Sequence, residues 1–153
     1  MDYDPKSIRE MNPTQLAIFY PNLSATNYQV TSDQTRLYNC VAWVSHIQDE
    51  NIDFSQDENG DLAQDLSTAP YIEYFETLGF QRCNDGEREE AFQKIALFEK
   101  RGEFSHVCAQ LPDGHWESKL GEWEDIQHDT TSAVEGEGKY HYGKATIFMS
   151  RPW

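Results

Sequence analysis

The tightest constraint on how this chain folds is a turn. Pro112-Asp113-Gly114 separates two runs, Phe104 to Leu111 and His115 to Leu120, and Asp-Gly supplies the positive φ angles that a short hairpin turn requires. The two runs are therefore expected to pair as an antiparallel hairpin. Just upstream, Phe92-Gln93-Lys94-Ile95-Ala96-Leu97-Phe98 is short and bounded by charge, which is a strand pattern. Tyr140 to Arg151, with Ala145-Thr146-Ile147-Phe148-Met149 inside it, reads as a last strand.

Ahead of these strands the period changes. Leu37, Cys40, Val41, Val44 and Ile47, with Trp43 beside them, recur at the three-and-four spacing of a helix whose stripe faces a core, and this is the expected central helix. Tyr71, Ile72, Phe75 and Leu78 predict a second helix over Ala69 to Phe80, closed by Gly79 as a left-handed cap. Between the two, Asp49 to Asp65 reads as a solvated loop. Residues 1–33, with a turn at Asn12-Pro13-Thr14, read as an irregular arm that packs on the body through its aromatics. Helices first and an antiparallel sheet afterwards make an α+β domain, and 153 residues suit a single one, with residues 34–153 as its core.

Charge narrows the partners. With 12 Lys and Arg against 27 Asp and Glu, the net charge is −15, which repels nucleic acids and anionic membranes and favours a basic protein or peptide. No run approaches the roughly 20 apolar residues of a spanning helix. Met1-Asp2-Tyr3-Asp4-Pro5 is acidic where an export leader is basic and then apolar, and Cys40, Cys83 and Cys108 are an odd set with no close pairing. Free thiols in a reducing compartment follow, so cytoplasm is the expected location, although a protein handed to a specialised secretion machine would look the same.

Gln34-Thr35-Arg36-Leu37-Tyr38-Asn39-Cys40-Val41-Ala42-Trp43 and Ser105-His106-Val107 hold the parts of a thiol nucleophile and its base. A thiol needs an imidazole nearby because the thiolate is the species that attacks a carbonyl carbon. If Asn39 caps the helix, Cys40 lies in its first turn, where the helix dipole lowers the thiol pKa. If the helix starts at Asp33, Cys40 is mid-helix and that help is absent.

In this order of parts the chain resembles the papain-like cysteine peptidase superfamily, where an N-terminal helix carries the cysteine and a later sheet supplies histidine and then a polar orienting residue. Gln34 stands six before Cys40, as the oxyanion-hole glutamine does in that family. His106 opens a strand, the next strand ends Ser118-Lys119-Leu120-Gly121, and Tyr142-Gly143 begins the closing one. The resemblance implies a central helix carrying Cys40 packed on an antiparallel sheet, and a Cys40–His106 site with Gln34 at the oxyanion. Trp43 lies three residues after the cysteine instead of next to it, and the chain is short for a two-lobed protease, so a trimmed version of the fold is implied. Asn39-Cys40-Val41-Ala42-Trp43, His106-Val107 and Trp116 to Gly121 are also similar to small bacterial domains of this kind, a likeness that carries no activity with it.

For the third catalytic member, the resemblance, in which an Asn stands three residues before a Gly, implies Ser118, three before Gly121. A two-residue Asp113-Gly114 turn, however, pairs Leu111 with Trp116 and His106 with Gly121, placing Ser118 beside Ala109 on the face opposite His106. Glu117 shares the His106 face but lies four residues along, roughly 13 Å at the usual strand rise. Asp125, just beyond the strand at the level of His106, offers a carboxylate that can fold back, and is preferred over Ser118.

Each of these residues also has a plain reading. Cys40, Trp43, Val44 and Ile47 form a packing stripe, a lone His106 is ordinarily structural, Gln34 is an ordinary exposed amide, and Asp125 sits in an acidic run from Glu122. His106, Cys108 and His115 with Cys83 match no zinc spacing, and Asp57-Glu58-Asn59-Gly60-Asp61 aligns Ser55 and Leu66 where a calcium loop needs carboxylates, so no metal or cofactor is expected. The expected function is a cysteine hydrolase or acyltransferase, peptidase or deamidase-like, acting on a protein or peptide amide or ester. The rival is an inactive acidic module that docks on a basic protein or imitates nucleic acid.

Overall fold

The computed structural model describes residues 20, 22, 28–32, 39–46, 52–54, 66–120, 125–137 and 141–153, the side chains of residues 32 and 43 excepted. Within them the chain order is β1 (Tyr28–Ser32), α1 (Cys40–Val44), α2 (Ala69–Thr77), β2 (Gln81–Cys83), β3 (Phe92–Lys100), β4 (Glu103–Gln110), β5 (Trp116–Lys119), β6 (Asp125–His128), a 3-10 turn (Thr131–Val134) and β7 (Lys144–Pro152). All seven strands join one sheet in the order β1-β6-β5-β4-β3-β7-β2, each pair antiparallel.

Gln93 through Phe98 of β3 are all buried, because the strand lies between β4 and β7 and both of its faces are covered. That explains an unbroken apolar run in place of alternation. Ile95 and Leu97 pack with Val107 and Met149 beneath α1 and α2. Ala96 and Phe98 pack with Cys108, Trp116 and Ile126 on the other face. α2 buries Tyr71, Ile72 and Phe75 and gives way to Gly79 at φ 95, where the Phe80 N–H returns to the Phe75 carbonyl.

The papain-like α+β arrangement expected from the sequence does not form. The body is the seven-stranded sheet, β3 and β7 running nine residues each, and among the described residues the α-helices have five and nine residues and lie on one face. The stripe from Leu37 to Ile47 promised a long central helix, but His46 adopts φ 63, through which a right-handed helix cannot continue. Residues 33–38 and 47–51 lie outside the described residues. The irregular arm over residues 1–33 is also corrected: Tyr28–Ser32 is an edge strand on β6, with Tyr28 opposite His128. Of the loop expected over Asp49 to Asp65, Ile52 and Phe54 pack against the α1 and α2 cluster.

The hairpin forms, with a different loop. Leu111 donates its N–H to the His115 carbonyl at 2.7 Å and Gly114 donates to the Leu111 carbonyl at 2.9 Å, so Trp116 pairs with Gln110 and Glu117 with Ala109.

At the other end of the sheet, Gly143 exchanges backbone hydrogen bonds with Gly136 at φ 74, and a Cβ there would stand 2.0 Å from the Glu99 carbonyl oxygen. Gly143→Ala is therefore expected to cost more than about 3 kcal/mol, since it adds left-handed strain to a clash with backbone. A urea midpoint indistinguishable from that of the parent protein would show that β7 does not depend on this close approach.

Candidate active site

The hairpin register decides the site. Pairing Trp116 with Gln110, where the sequence suggests Leu111, moves the strands by one residue and exchanges the faces of β5. Ser118 consequently shares a face with Cys108 and His106, and the geometric objection to it falls away. The His106 Nε2 lies 3.0 Å from Ser118 Oγ, and Ser118 Oγ lies 2.7 Å from His128 Nε2. His128 Nδ1 is 2.7 Å from the Thr130 carbonyl oxygen.

This chain of bonds has one consistent proton arrangement. A carbonyl oxygen only accepts, so His128 Nδ1 carries a proton and donates it. Burial holds the His128 pKa down at about 4, so the ring is neutral near pH 7 and its Nε2 accepts from the Ser118 hydroxyl. Ser118 Oγ then accepts from His106 Nε2–H. Burial, assisted by His128, keeps the His106 pKa well below the ordinary histidine value, so its remaining nitrogen, Nδ1, is a bare lone pair. That Nδ1 is buried and has no hydrogen-bond partner. Tyr142 stacks on the ring with centroids 4.0 Å apart and 7° between planes, and Phe98 meets it edge-on at 5.2 Å. The Tyr142 hydroxyl is tied in turn to the Tyr20 hydroxyl at 2.9 Å.

Cys40 opens α1. The Asn39 Oδ1 accepts from the Ala42 N–H at 2.9 Å and from the Ile52 N–H at 3.2 Å, and the Asn39 amide donates to the Ile52 carbonyl at 2.7 Å. Asn39 is thus the cap of α1 and also pins the segment around Ile52. A helix of five residues has little dipole to offer, and burial dominates: the thiol is pushed up to about 11. Opposing that push, the backbone N–H groups of Val107 and Val41 and the charge of Lys119 favour the thiolate. Cys40 is only half-buried as a residue and lines a cleft of about 220 Å³ with Asn39, Ile52, Tyr71, Phe104 and Ser105.

Val107 follows His106 in β4, so the thiol lies against the strand backbone beside the residue that bears the imidazole. Their side chains diverge: Val107 packs with Val41 and Val44 on the α1 face, and His106 packs with Phe98 and Tyr142 on the other. No hydrogen bond joins the sulfur to the ring, and His106, fully buried, does not line the cleft.

Asp125 does not hold the imidazole. It pairs with Lys119 while Ser118 pairs with Ile126, which puts Asp125 on the α1 face, away from the ring. Glu117, opposite Ala109, is on that face too, not on the His106 face. Gln34, the expected oxyanion donor, and Gly121 lie outside the described residues. The sequence reading missed His128, Tyr142 and Lys119. Gln127-His128-Asp129 carries no motif, and only the β5–β6 register brings His128 to Ser118. Cys108 is on the imidazole face with its thiol beside Ser118, but it is fully buried and its pKa is raised by that burial, so it offers no accessible nucleophile. Among the described residues no three His, Cys, Asp or Glu side chains converge to hold a metal, and His115 is engaged by Asp113 and Asp129 at 3.0 and 3.3 Å. No helix among them is long and apolar enough to cross a membrane.

A family model described as a domain of unknown function, DUF7689, matches residues 29–150. No curated protein and no solved structure matches the chain.

Proposed function

We propose, for a chain that belongs to the DUF7689 family of domains of unknown function, thiol-dependent hydrolysis or acyl transfer at an amide or ester bond of a protein or peptide. The observation that carries this is the His106 ring, whose Nε2–H is committed to Ser118 and whose bare Nδ1 has no partner, on the strand that also meets the Cys40 thiol. A neutral imidazole with an unused lone pair has the proton state of a general base, and it serves as one where that lone pair comes within hydrogen-bond reach of the thiol.

In this scheme the Cys40 S–H proton passes to His106 Nδ1 and the sulfur attacks the carbonyl carbon. The tetrahedral adduct then collapses, and the leaving amine or alcohol takes the proton back from Nδ1–H. Water, or an acceptor amine or alcohol, next attacks the thioester while Nδ1 accepts its proton, releasing the acyl group and restoring the thiol. The Val107 and Val41 N–H groups and the buried Lys119 offset the cost of charge on sulfur. Ser118 keeps the correct tautomer and His128 keeps Ser118 turned the right way. At rest the fully buried ring lies on the face of β4 turned away from α1 and does not line the Cys40 cleft, so the scheme requires the start of β4 to rearrange and turn the imidazole toward the sulfur before the proton can pass.

Because both groups rest neutral, Cys40 alkylation by iodoacetamide is expected to climb with pH toward about 11, without the plateau from pH 6 that a resting thiolate–imidazolium pair would produce. The test of the function is acylation by p-nitrophenyl acetate at pH 7.5, followed by intact mass and peptide mapping. One acetyl group on Cys40, formed faster than on Cys83 and absent in Cys40→Ala, is the expected result. No adduct, or adducts spread over Cys40 and Cys83 at similar rates, ends the proposal.

The missing sulfur–imidazole hydrogen bond favours one second reading, an acidic module that keeps the site's shape without its chemistry and docks on a basic protein through its charge of −15. Absence of acylation leaves that reading standing.

A further inference from the structure

On the α1 face, at the other end of that helix from Cys40, a cleft of about 550 Å³ is walled by Val44, Ala109, Leu111, Pro112, Glu117 and Trp153. We propose that this cleft binds a cationic side chain of a peptide, with the guanidinium or ammonium group held between the Glu117 carboxylate and the Trp153 indole.

Three observations support it. Trp153 is 59 % exposed, more than any other large apolar side chain among the described residues, yet its backbone is fastened by a 2.9 Å bond from its N–H to the Ala91 carbonyl. A bare indole on an anchored backbone is a platform for a cation. Second, Glu117 is partly desolvated and lies in the field of Asp125 and Asp113, which together raise its pKa, and no described residue forms an ion pair with it. Lys119, the next residue of β5 on that face, lies opposite Asp125 in the register. Third, the volume falls in the range of ordinary ligand sites, and Val44, Ala109, Leu111 and Pro112 give it an apolar wall suited to the methylene stem of Arg or Lys, while His46, Gln93 and Gln110 complete the lining with polar groups. An apolar occupant would take water from the Glu117 carboxylate and return nothing to it.

Val44 is four residues from Cys40 on α1, about 6 Å along the axis at the usual helical rise, so a basic side chain seated here leaves its own backbone within reach of the thiol. The link to a scissile bond rests on the acyl-transfer proposal; the binding itself does not.

The test titrates the ¹⁵N-labelled full chain with acetyl-Ala-Arg-Ala-amide and with its citrulline counterpart, following the Trp153 indole N–H. The arginine peptide is expected to move that resonance and to bind about tenfold more tightly than the neutral peptide, a charge-assisted bond plus the cation–π contact being lost in citrulline. Glu117→Gln should erase the difference, and Trp153→Ala, which removes only a surface side chain and is followed through the backbone amides of Ala109 and Leu111 in the cleft wall, should weaken the arginine peptide severalfold. Equal affinity of the two peptides, perturbations centred away from Trp153, or an unchanged preference in Glu117→Gln overturns the proposal. No turnover is needed, so a negative result here leaves Cys40 acylation untouched, and failed acylation leaves this binding test intact.

Discussion

Replacing His106 with glutamine is expected to slow Cys40 acylation by about a thousandfold, within the range that a positioned general base contributes. The glutamine amide can still donate to Ser118 Oγ, the partner that His106 Nε2 has at 3.0 Å, so the fold keeps its buried hydrogen bond while the basic lone pair is lost. The burst of p-nitrophenolate and the intact mass measure this directly. A His106→Gln protein that acylates as fast as its parent removes the imidazole from the mechanism. Ser118→Ala separates positioning from chemistry. It should cost less rate, about ten- to a hundredfold, and it should redistribute the His106 proton between Nε2 and Nδ1, visible in the ¹⁵N shifts of the ring. A purely structural serine would leave that tautomer ratio where it was.

The second large effect is on stability in mild acid. In the unfolded chain His128 takes up a proton near its ordinary value of 6.5, but in the fold burial holds it at about 4. Between these two values the unfolded state binds more protons than the native one, so stability is complete above pH 6.5 and falls as the pH drops toward 4. The shift of about 2.5 units amounts to about 3 kcal/mol for His128 alone. His106, depressed further by the same burial, acts in the same direction. The lowered carboxylates Asp85, Glu99 and Asp113 act only nearer their own ordinary values of 3.8 and 4.5, and Glu117, whose pKa burial raises, works in the opposite direction, so the loss of stability between pH 6.5 and 5 comes from the histidines. Net charge works the other way, because protonation relieves the self-repulsion of a chain at −15. Urea midpoints at pH 7.5, 6 and 5 for the parent and for His128→Gln separate the two effects: the parent should fall along this series and the variant should fall less. Midpoints that change by the same amount in the parent and in His128→Gln across this series would show that His128 is not buried neutral.

Much of the local structure was legible. A hairpin at Pro112-Asp113-Gly114, the strand over β3 and the helix closed by Gly79 follow from turn chemistry and hydrophobic period, which act over a few residues, although the loop is three residues long where two were expected. The long helix was not legible, because Leu37, Cys40, Val41, Val44 and Ile47 satisfy a helical period whatever happens at His46, where the backbone turns left-handed. A one-and-a-half-turn helix packed on a broad sheet can bury the same apolar groups, so the period alone does not measure its length. Cys40, His106 and Ser118 were nameable as candidates from residue type and order, and the choice of Asp125 over Ser118 failed on one residue of loop length.

What the amino-acid order determined by itself was therefore the kind of element over α2, β3, the β4–β5 hairpin and β7, and the inventory of groups able to do thiol chemistry, since both depend on near neighbours in the chain. Which face each group occupies, that Ser118 and His128 leave the buried His106 lone pair unused at Nδ1, and that Asp125 and Glu117 gather on the other side were decided only by tertiary structure. Side chains alternate along a strand, so a pairing offset by one residue carries every group to the opposite face, and that offset is set by the closed hairpin and its packed neighbours.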